Sequence, residues 1–163
     1  MKNYPSVTDY MATKLVTFPP DMDIRLAVNT LLKKKISGAP VLNNKGELVG
    51  MLSEVDCMRI LIEAPYNQDP AHTKNKVEDY MSTRIKTISA DKNIFDAAYE
   101  FVHSGYKRLP VVEDKKLIGQ ISRVDVLRAI QRLEPEIKHV PDSWKGREPA
   151  MPHHKQTHYN KNA

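Results

Sequence analysis

Two short patterns in this 163-residue chain carry residue types suited to binding chemistry: Ser53-Glu54-Val55-Asp56 and Ser122-Arg123-Val124-Asp125. Each follows an apolar stretch and opens a second apolar stretch with helical spacing. A Ser-x-x-acid pattern at that place is first a capping box, in which hydroxyl and carboxylate satisfy the exposed N–H groups of a helix start. The same geometry has a second use. A strand running into a helix N-terminus presents free N–H groups and a positive dipole end. A hydroxyl and an ionised carboxylate in that first turn can hold a vicinal diol, such as the two hydroxyls of a ribose. Each hydrogen bond to the carboxylate contributes roughly 1.5–3 kcal/mol when water is excluded.

The segments Ile36-Ser37-Gly38-Ala39-Pro40 and Tyr106-Lys107-Arg108-Leu109-Pro110 lead into neighbouring strands. Proline after an extended residue leaves backbone groups unpaired at that edge. Such groups can read the edge of a purine while Ile36 or Tyr106 covers its face.

Other reactive constellations are missing from the sequence. It has no G-x-S-x-G, H-E-x-x-H or C-x-x-C, and no G-x-x-x-x-G-K-[ST] phosphate loop. Asp56 and Asp125 do not read as an acid–base pair, because holding a diol requires both ionised and static. The expectation is therefore a protein that is not an enzyme. Cys57 reads as an inert buried thiol, with no histidine nearby in sequence. His153, His154 and His158 have a spacing that suits one helical face, but they lack carboxylate or cysteine partners for a metal. No metal site is expected.

The elements that position the two patterns come from an internal duplication. Shifting the chain by 70 residues lays Asp9-Tyr10-Met11 on Asp79-Tyr80-Met81, Thr17 on Thr87, Ile24 on Ile94, Ala27 on Ala97 and Pro40-Val41 on Pro110-Val111. The turn that follows is one residue shorter in the second copy. Leu48, Gly50, Ser53, Val55-Asp56 and Arg59 then match Leu117, Gly119, Ser122, Val124-Asp125 and Arg128. Two copies imply a compact pair with pseudo-two-fold symmetry.

Each copy reads as strand, helix, strand, strand, helix. In the first copy the strand covers 15–18 and is ended by Pro19-Pro20. A helix follows with Ile24, Ala27, Val28 and Leu31 on one face and Asp23 as N-cap. A hairpin over 39–42 and 48–52 turns at Asn43-Asn44-Lys45-Gly46. The last helix runs from Ser53 to about Glu63. The second copy repeats the plan over 85–88, 93–104, 109–113, 117–121 and 122–132. Residues 7–63 and 77–133 thus form two repeats and 64–76 a linker. Residues 134–163 form a polar tail with prolines and histidines, in which Trp144 is a candidate docking residue. Met11 and Met81 read as core filling.

Composition sets the outer bounds. Hydrophobic residues make up 40% of the chain and charged residues 28%, as in soluble globular proteins. No apolar run approaches the roughly 20 residues of a membrane span, and the first residues lack the apolar core of a signal peptide. A single cysteine fits a reducing cytoplasm. The net charge of +5 arises mainly in residues 71–133, which carry 12 basic and 8 acidic side chains. A modest excess of this kind attracts anions without naming one. Three phenylalanines and one tryptophan, with no aromatic–basic interleaving, argue against nucleic acid as the partner.

The duplicated motifs resemble the CBS-domain pair, or Bateman module. The resemblance rests on the repeat starts (Val7 to Met11, Val77 to Met81), the pre-strand segments (Ile36 to Val41, Tyr106 to Val111) and the stretches Leu48 to Asp56 and Leu117 to Asp125. It covers about residues 7–133. It implies a mixed α/β fold of tandem β-α-β-β-α repeats. It also implies a regulatory module that binds AMP, ADP, ATP or S-adenosylmethionine in clefts between the repeats, and modules that pair into disc-like homodimers. Asp56 and Asp125 would hold ribose, with Ser53 and Ser122 beside them. Ile36, Ser37, Gly38, Ala39 and Pro40, and Tyr106, Lys107, Arg108, Leu109 and Pro110, would line the adenine pockets. Thr17 and Thr87 match positions that contact ribose or phosphate.

The clefts should differ. Lys107-Arg108 replaces Ser37-Gly38, and His103 lies one turn earlier, so a phosphorylated ligand is expected to favour the Asp125 side. Lys14 or Arg84 could serve the phosphate from the other repeat. The expected output is a shift in the arrangement of repeats or dimer, passed to an unknown effector protein, without a membrane or nucleic acid. The competing expectations are a ligand-independent scaffold and, behind it, a nucleic-acid-binding protein.

Overall fold

In the first repeat, the apolar residues Ile24, Ala27 and Leu31 fall on one side of a helix, and α1 (Ile24–Lys34) buries all three. The fourth residue of that face, Val28, is half-buried. Asp23 caps α1 by accepting the Arg25 N–H at 2.8 Å, and Lys35 ends it in the left-handed region at φ 54°. β1 (Gly38–Leu42) and β2 (Leu48–Ser53) form an antiparallel hairpin. The Asn43 side chain accepts the Lys45 and Glu47 N–H groups in its turn, and Gly46 supplies the positive φ. α2 (Glu54–Glu63) leaves directly from β2. These coordinates form a computed structural model that describes residues 3–63 and 74–133.

The second repeat follows with α3 (Val77–Tyr80), β3 (Ile88–Ser89), α4 (Ile94–Ser104), β4 (Arg108–Glu113), β5 (Lys116–Ser122) and α5 (Arg123–Arg132). Its hairpin turns on Asp114 and Lys115, both at positive φ, as a tight two-residue hairpin requires. β3 pairs in parallel with β4, which pairs antiparallel with β5.

The first strands are shorter than the sequence predicts. Phe18 alone bridges Val41, and β3 is reduced to Ile88–Ser89. After Phe18, Pro19-Pro20 removes two N–H donors and stops the ladder. The sequence reading also passed over two helical turns, Val7–Asp9 and α3, which are too short to show a period.

Those two turns organise the architecture, because each crosses to the other repeat. Val7 is buried with Ile94, Leu109 and Ile121, and Val77 and Tyr80 are buried with Ile24, Val41 and Leu52. The chain behind each turn pairs with the return strand it meets. Ala12 and Gln120 exchange two backbone hydrogen bonds at 2.9 Å, and Met51 and Ser82 exchange two at 2.8 and 2.9 Å. Gly50 lies under the Met81 side chain and Gly119 under that of Met11. The hairpin tips also join, with Leu48 N–H on the Lys115 carbonyl and Leu117 N–H on that of Gly46. Met11 and Met81 therefore fill core, as expected, but each does so in the opposite repeat.

Among the described residues no helix is long and apolar enough to cross a membrane, and no cluster of three or more His, Cys, Asp or Glu is arranged to hold a metal. The expectations for His153, His154, His158 and Trp144, and for most of the linker, lie outside the described residues.

The crossed packing predicts unequal penalties at the matched glycines. A Cβ at Gly119 would lie 2.9 Å from the Ala12 carbonyl oxygen and against Met11, whereas the nearest atoms to one at Gly50 all belong to the flexible Met81 side chain. Gly119→Ala is expected to cost about 1–3 kcal/mol in urea unfolding, and Gly50→Ala less. Equal midpoints for the two variants would contradict this.

Candidate functional site

Both Ser-x-x-Asp turns are built as the residue types dictate. In the first, Asp56 Oδ2 accepts the Ser53 N–H and the Ser53 hydroxyl, both at 2.8 Å, and the Asp56 N–H donates to Ser53 Oγ at 3.2 Å. In the second, Asp125 Oδ2 accepts the Ser122 N–H at 2.8 Å and its hydroxyl at 2.7 Å, with the return bond at 3.3 Å. The capping boxes exist, and each uses one carboxylate oxygen. The second oxygen, Oδ1, is where the copies part.

Asp125 Oδ1 accepts a 2.7 Å hydrogen bond from Arg128 Nη1, and Asp125 is 7% exposed. The matched Arg59 points the other way. Its Nε and Nη2 donate to Glu63 Oε1 at 3.0 and 2.6 Å, while Lys74 Nζ donates to Glu63 Oε2 at 3.1 Å. Among the described contacts, nothing holds Asp56 Oδ1, and Asp56 is half-buried. The Lys74 and Arg59 hydrogen bonds, in that order, hold the Glu63 carboxyl below its usual range. At the position matching Glu63 stands Arg132, whose guanidinium lies 5.7 Å from the centre of the Tyr10 ring. A cation there cannot draw Arg128 aside, so Arg128 turns to Asp125.

The pre-strand segments reach these turns through the backbone. The Glu54 N–H donates to the Ser37 carbonyl at 2.9 Å and the Arg123 N–H to the Lys107 carbonyl at 3.2 Å. Gly38 pairs with Ser53 across the hairpin, as Arg108 does with Ser122. Gly38 is required by this approach, since a Cβ there would come within 2.8 Å of the Leu52 carbonyl. Ser37, Tyr106, Lys107 and Arg108 are exposed and Ile36 is half-buried. Ala39, Pro40, Leu109 and Pro110 are buried. The Pro40 carbonyl is not unpaired at an edge, as the sequence predicts, because it accepts the Phe18 N–H at 3.0 Å.

Thr17 is exposed beside Phe18. Thr87 lines a hollow of about 240 Å³ with Phe95 and Tyr99. Neither threonine bonds to a Ser-x-x-Asp turn among the described contacts. His103 stacks on Tyr99 and bonds to its carbonyl, away from Lys107-Arg108. Lys14 and Arg84 are exposed.

One participant escaped the sequence reading. Arg123 donates from Nε to the Tyr106 carbonyl at 2.9 Å and from Nη2 to the Gly105 carbonyl at 3.0 Å. Its counterpart, Glu54, has no N–H on its side chain to donate. The signal was present in the aligned copies, where charge reverses at Glu54/Arg123 and again at Glu63/Arg132.

An apolar groove of about 660 Å³ runs between α1 and α2, lined by Leu32, Ile36, Met58 and Leu61 among others, with Lys35 and Glu54 as its charged residues. Cys57 also lines it. Burial, and then the neighbouring Asp56 charge, push the Cys57 thiol above its ordinary range.

Comparison with known proteins agrees with this fold and with the duplication. The CBS domain family model matches residues 7–63 and again 77–132, so the chain belongs to the CBS-domain family. The Arabidopsis thaliana protein CBSX2, solved in complex with AMP, superposes with a TM-score of 0.69 at 29% identity, over 78% of this chain and 96% of that one. An uncharacterised protein of Methanocaldococcus jannaschii is 32% identical over 76% of this chain and 90% of its own length. A second from the same organism is 27% identical, and the matched region spans only 42% of its length. The CBS pair of another protein, MJ0100, solved with 5-methylthioadenosine and S-adenosyl-L-methionine, shares the fold at a TM-score of 0.63 and 22% identity. The mixed α/β tandem-repeat architecture expected from the sequence is the one observed.

The environment of Cys57 makes a kinetic prediction. Its thiolate fraction at neutral pH lies below that of an ordinary thiol. Iodoacetamide is expected to alkylate Cys57 in the folded protein more slowly than a model thiol at pH 7.5, and at the ordinary rate in urea. Faster reaction in the folded state would show an activated cysteine instead.

Proposed function

We propose that this chain is a non-catalytic regulatory module that binds adenosine-containing ligands at its two Ser-x-x-Asp turns. Asp56 and Asp125, with Ser53 and Ser122, take the ribose hydroxyls. The segments starting at Ile36 and Tyr106 flank the base, and Thr17 and Thr87 border the sites. The observation that carries this reading is the docking of each capping turn on its pre-strand segment, through Glu54 N–H to Ser37 and Arg123 N–H to Lys107. That contact sets a carboxylate, a helix N-terminus and an exposed backbone segment side by side twice. The AMP complex of the 29% identical CBSX2 supports the ligand class. AMP, ADP, ATP and S-adenosylmethionine are the candidates within it.

The helices support a homodimer. Leu32 on α1 is 71% exposed, Leu61 on α2 81% and Val102 on α4 78%, with Met58, Tyr99, Leu127 and Ile130 also exposed. Apolar exposure on this scale across four helices is what association covers. The ligand acts by binding one arrangement of repeats or dimer more tightly and so shifting its population. The output passes to an effector protein in a reducing cytoplasm, where the lone Cys57 stays free.

One observation favours the competing scaffold reading: both aspartates already satisfy a capping box. Calorimetric titration separates the two. AMP is expected to bind saturably, and Asp56→Ala combined with Asp125→Ala to abolish binding while circular dichroism remains that of the folded chain. Absence of heat with AMP, ADP, ATP and S-adenosylmethionine from ligand-free folded protein would leave the scaffold. For the dimer, light scattering after gel filtration is expected to give twice the chain mass. Leu61→Asp, at an exposed position, should shift it toward the monomer. A monomeric wild type would refute the dimer.

A further inference from the structure

We propose that the two sites have diverged by charge into an open site at Asp56, suited to an uncharged nucleoside, and a latched site at Asp125 that only a phosphate-bearing ligand opens. This rests on the adenosine-binding reading above and adds a ligand class for each site.

The latch consists of two arginines. Arg128 occupies Asp125 Oδ1, the carboxylate oxygen left over from the capping box, at 2.7 Å. Arg123 occupies the Gly105 and Tyr106 carbonyls, the acceptors that precede β4. A ribose and a base arriving at this site find their hydrogen-bond acceptors taken. Adenosine offers nothing that an arginine prefers to a carboxylate. A phosphate does, because it presents up to two negative charges and several oxygens to guanidinium forks that bind it bidentately. Lys107 and Arg108, exposed beside the same turn, add to the attraction. Arg128 also has 63% of its side chain exposed, so it can swing from Asp125 to an incoming anion without unpacking the core. Movement of the arginines onto phosphate frees Asp125 Oδ1 and the two carbonyls together.

At the first site the same positions carry opposite charge. Glu54 replaces Arg123, and Glu63 replaces Arg132 and draws Arg59 away from Asp56. Asp56 Oδ1 therefore stands ready for a hydroxyl. Glu54 and Asp56 repel a phosphate, Ser37-Gly38 supplies no cation to offset them, and Arg59 is held on Glu63 instead. Lys35 is the one cation lining the adjacent groove among the described residues, and Glu54 lines that groove with it.

Two measurements on the full chain test this. In calorimetry with adenosine and with AMP, adenosine is expected to fill one site per chain, lost in Asp56→Ala and kept in Asp125→Ala. AMP is expected to bind a site lost in Asp125→Ala. Arg123→Ala combined with Arg128→Ala should admit adenosine to a second site and weaken AMP there by about tenfold or more, as loss of charge-assisted bonds implies. In the ligand-free protein, inorganic phosphate alone should shift the Nε–H resonances of Arg123 and Arg128 but not that of Arg59, with sodium chloride at matched ionic strength as control.

Adenosine binding at both wild-type sites, or AMP binding that depends on Asp56 alone, overturns the latch while leaving the nucleotide reading intact. Equal phosphate responses of Arg59 and Arg128 do the same. Binding of neither probe overturns the nucleotide reading, and the assignment of ligands falls with it.

Discussion

Much of this structure depends on one exchange. Each repeat sends its opening turn across to close the core of the other, and the crossing is possible because the return strands carry glycine where a methionine side chain must lie. Gly119 receives Met11 and Gly50 receives Met81. A side chain at Gly119 would press on the backbone of the crossing segment, and one at Gly50 would displace the Met81 side chain. The crossings are held by the buried Val7 and Val77 and by the backbone bonds between Ala12 and Gln120 and between Met51 and Ser82. Neither half has a complete core without the other, so the pseudo-two-fold pair is the folding unit.

The exchange also reaches the candidate sites. Tyr10, carried across with the first turn, lies against Arg132 at the end of α5. Tyr80, carried the opposite way, is buried in the first repeat and bonds through its hydroxyl to the carbonyl of Lys74, whose ammonium holds Glu63. The last residue of α5 therefore meets a tyrosine from the opposite repeat directly, and the last residue of α2 is tied to one through Lys74. The charge of that last residue decides whether the arginine one turn earlier is drawn away from the aspartate or left to bind it. A duplicated scaffold has in this way kept its capping geometry and varied its electrostatics at positions that stability does not constrain. An arginine or a glutamate at a partly solvated helix end costs the fold little, yet it changes what a carboxylate two turns away can accept.

Much of the fold could be read directly from residues. The helix faces followed from periodic apolar positions such as Ile24, Ala27 and Leu31, the hairpins from turn residues such as Asn43 and Gly46, and the caps from Asp23, Ser53 and Ser122. These are local effects, in which neighbouring side chains and backbone groups satisfy one another, and local effects are written in short stretches of sequence. The first strands read less well, because a strand exists only where a partner offers its edge, and Phe18 finds a single bridge. The turns at Val7 and Val77 were invisible as helices, since three or four residues show no period and owe their conformation to burial in the other repeat.

The candidate site divides along the same line. The sequence by itself determined that two Ser-x-x-Asp turns exist, that each caps a helix and that each is matched to a pre-strand segment, because those facts depend on spacing within a few residues and on the repeat. It also contained the charge reversals at positions 54 and 123 and at 63 and 132, without saying what they do. Only the tertiary structure decided that Arg128 turns to Asp125 while Arg59 turns to Glu63, and that Arg123 reaches back across the loop to the Gly105 and Tyr106 carbonyls. A long flexible cation has several acceptors within reach along the chain. Which one it takes is set by the positions of the competing charges once helix, strand and crossing turn are packed together.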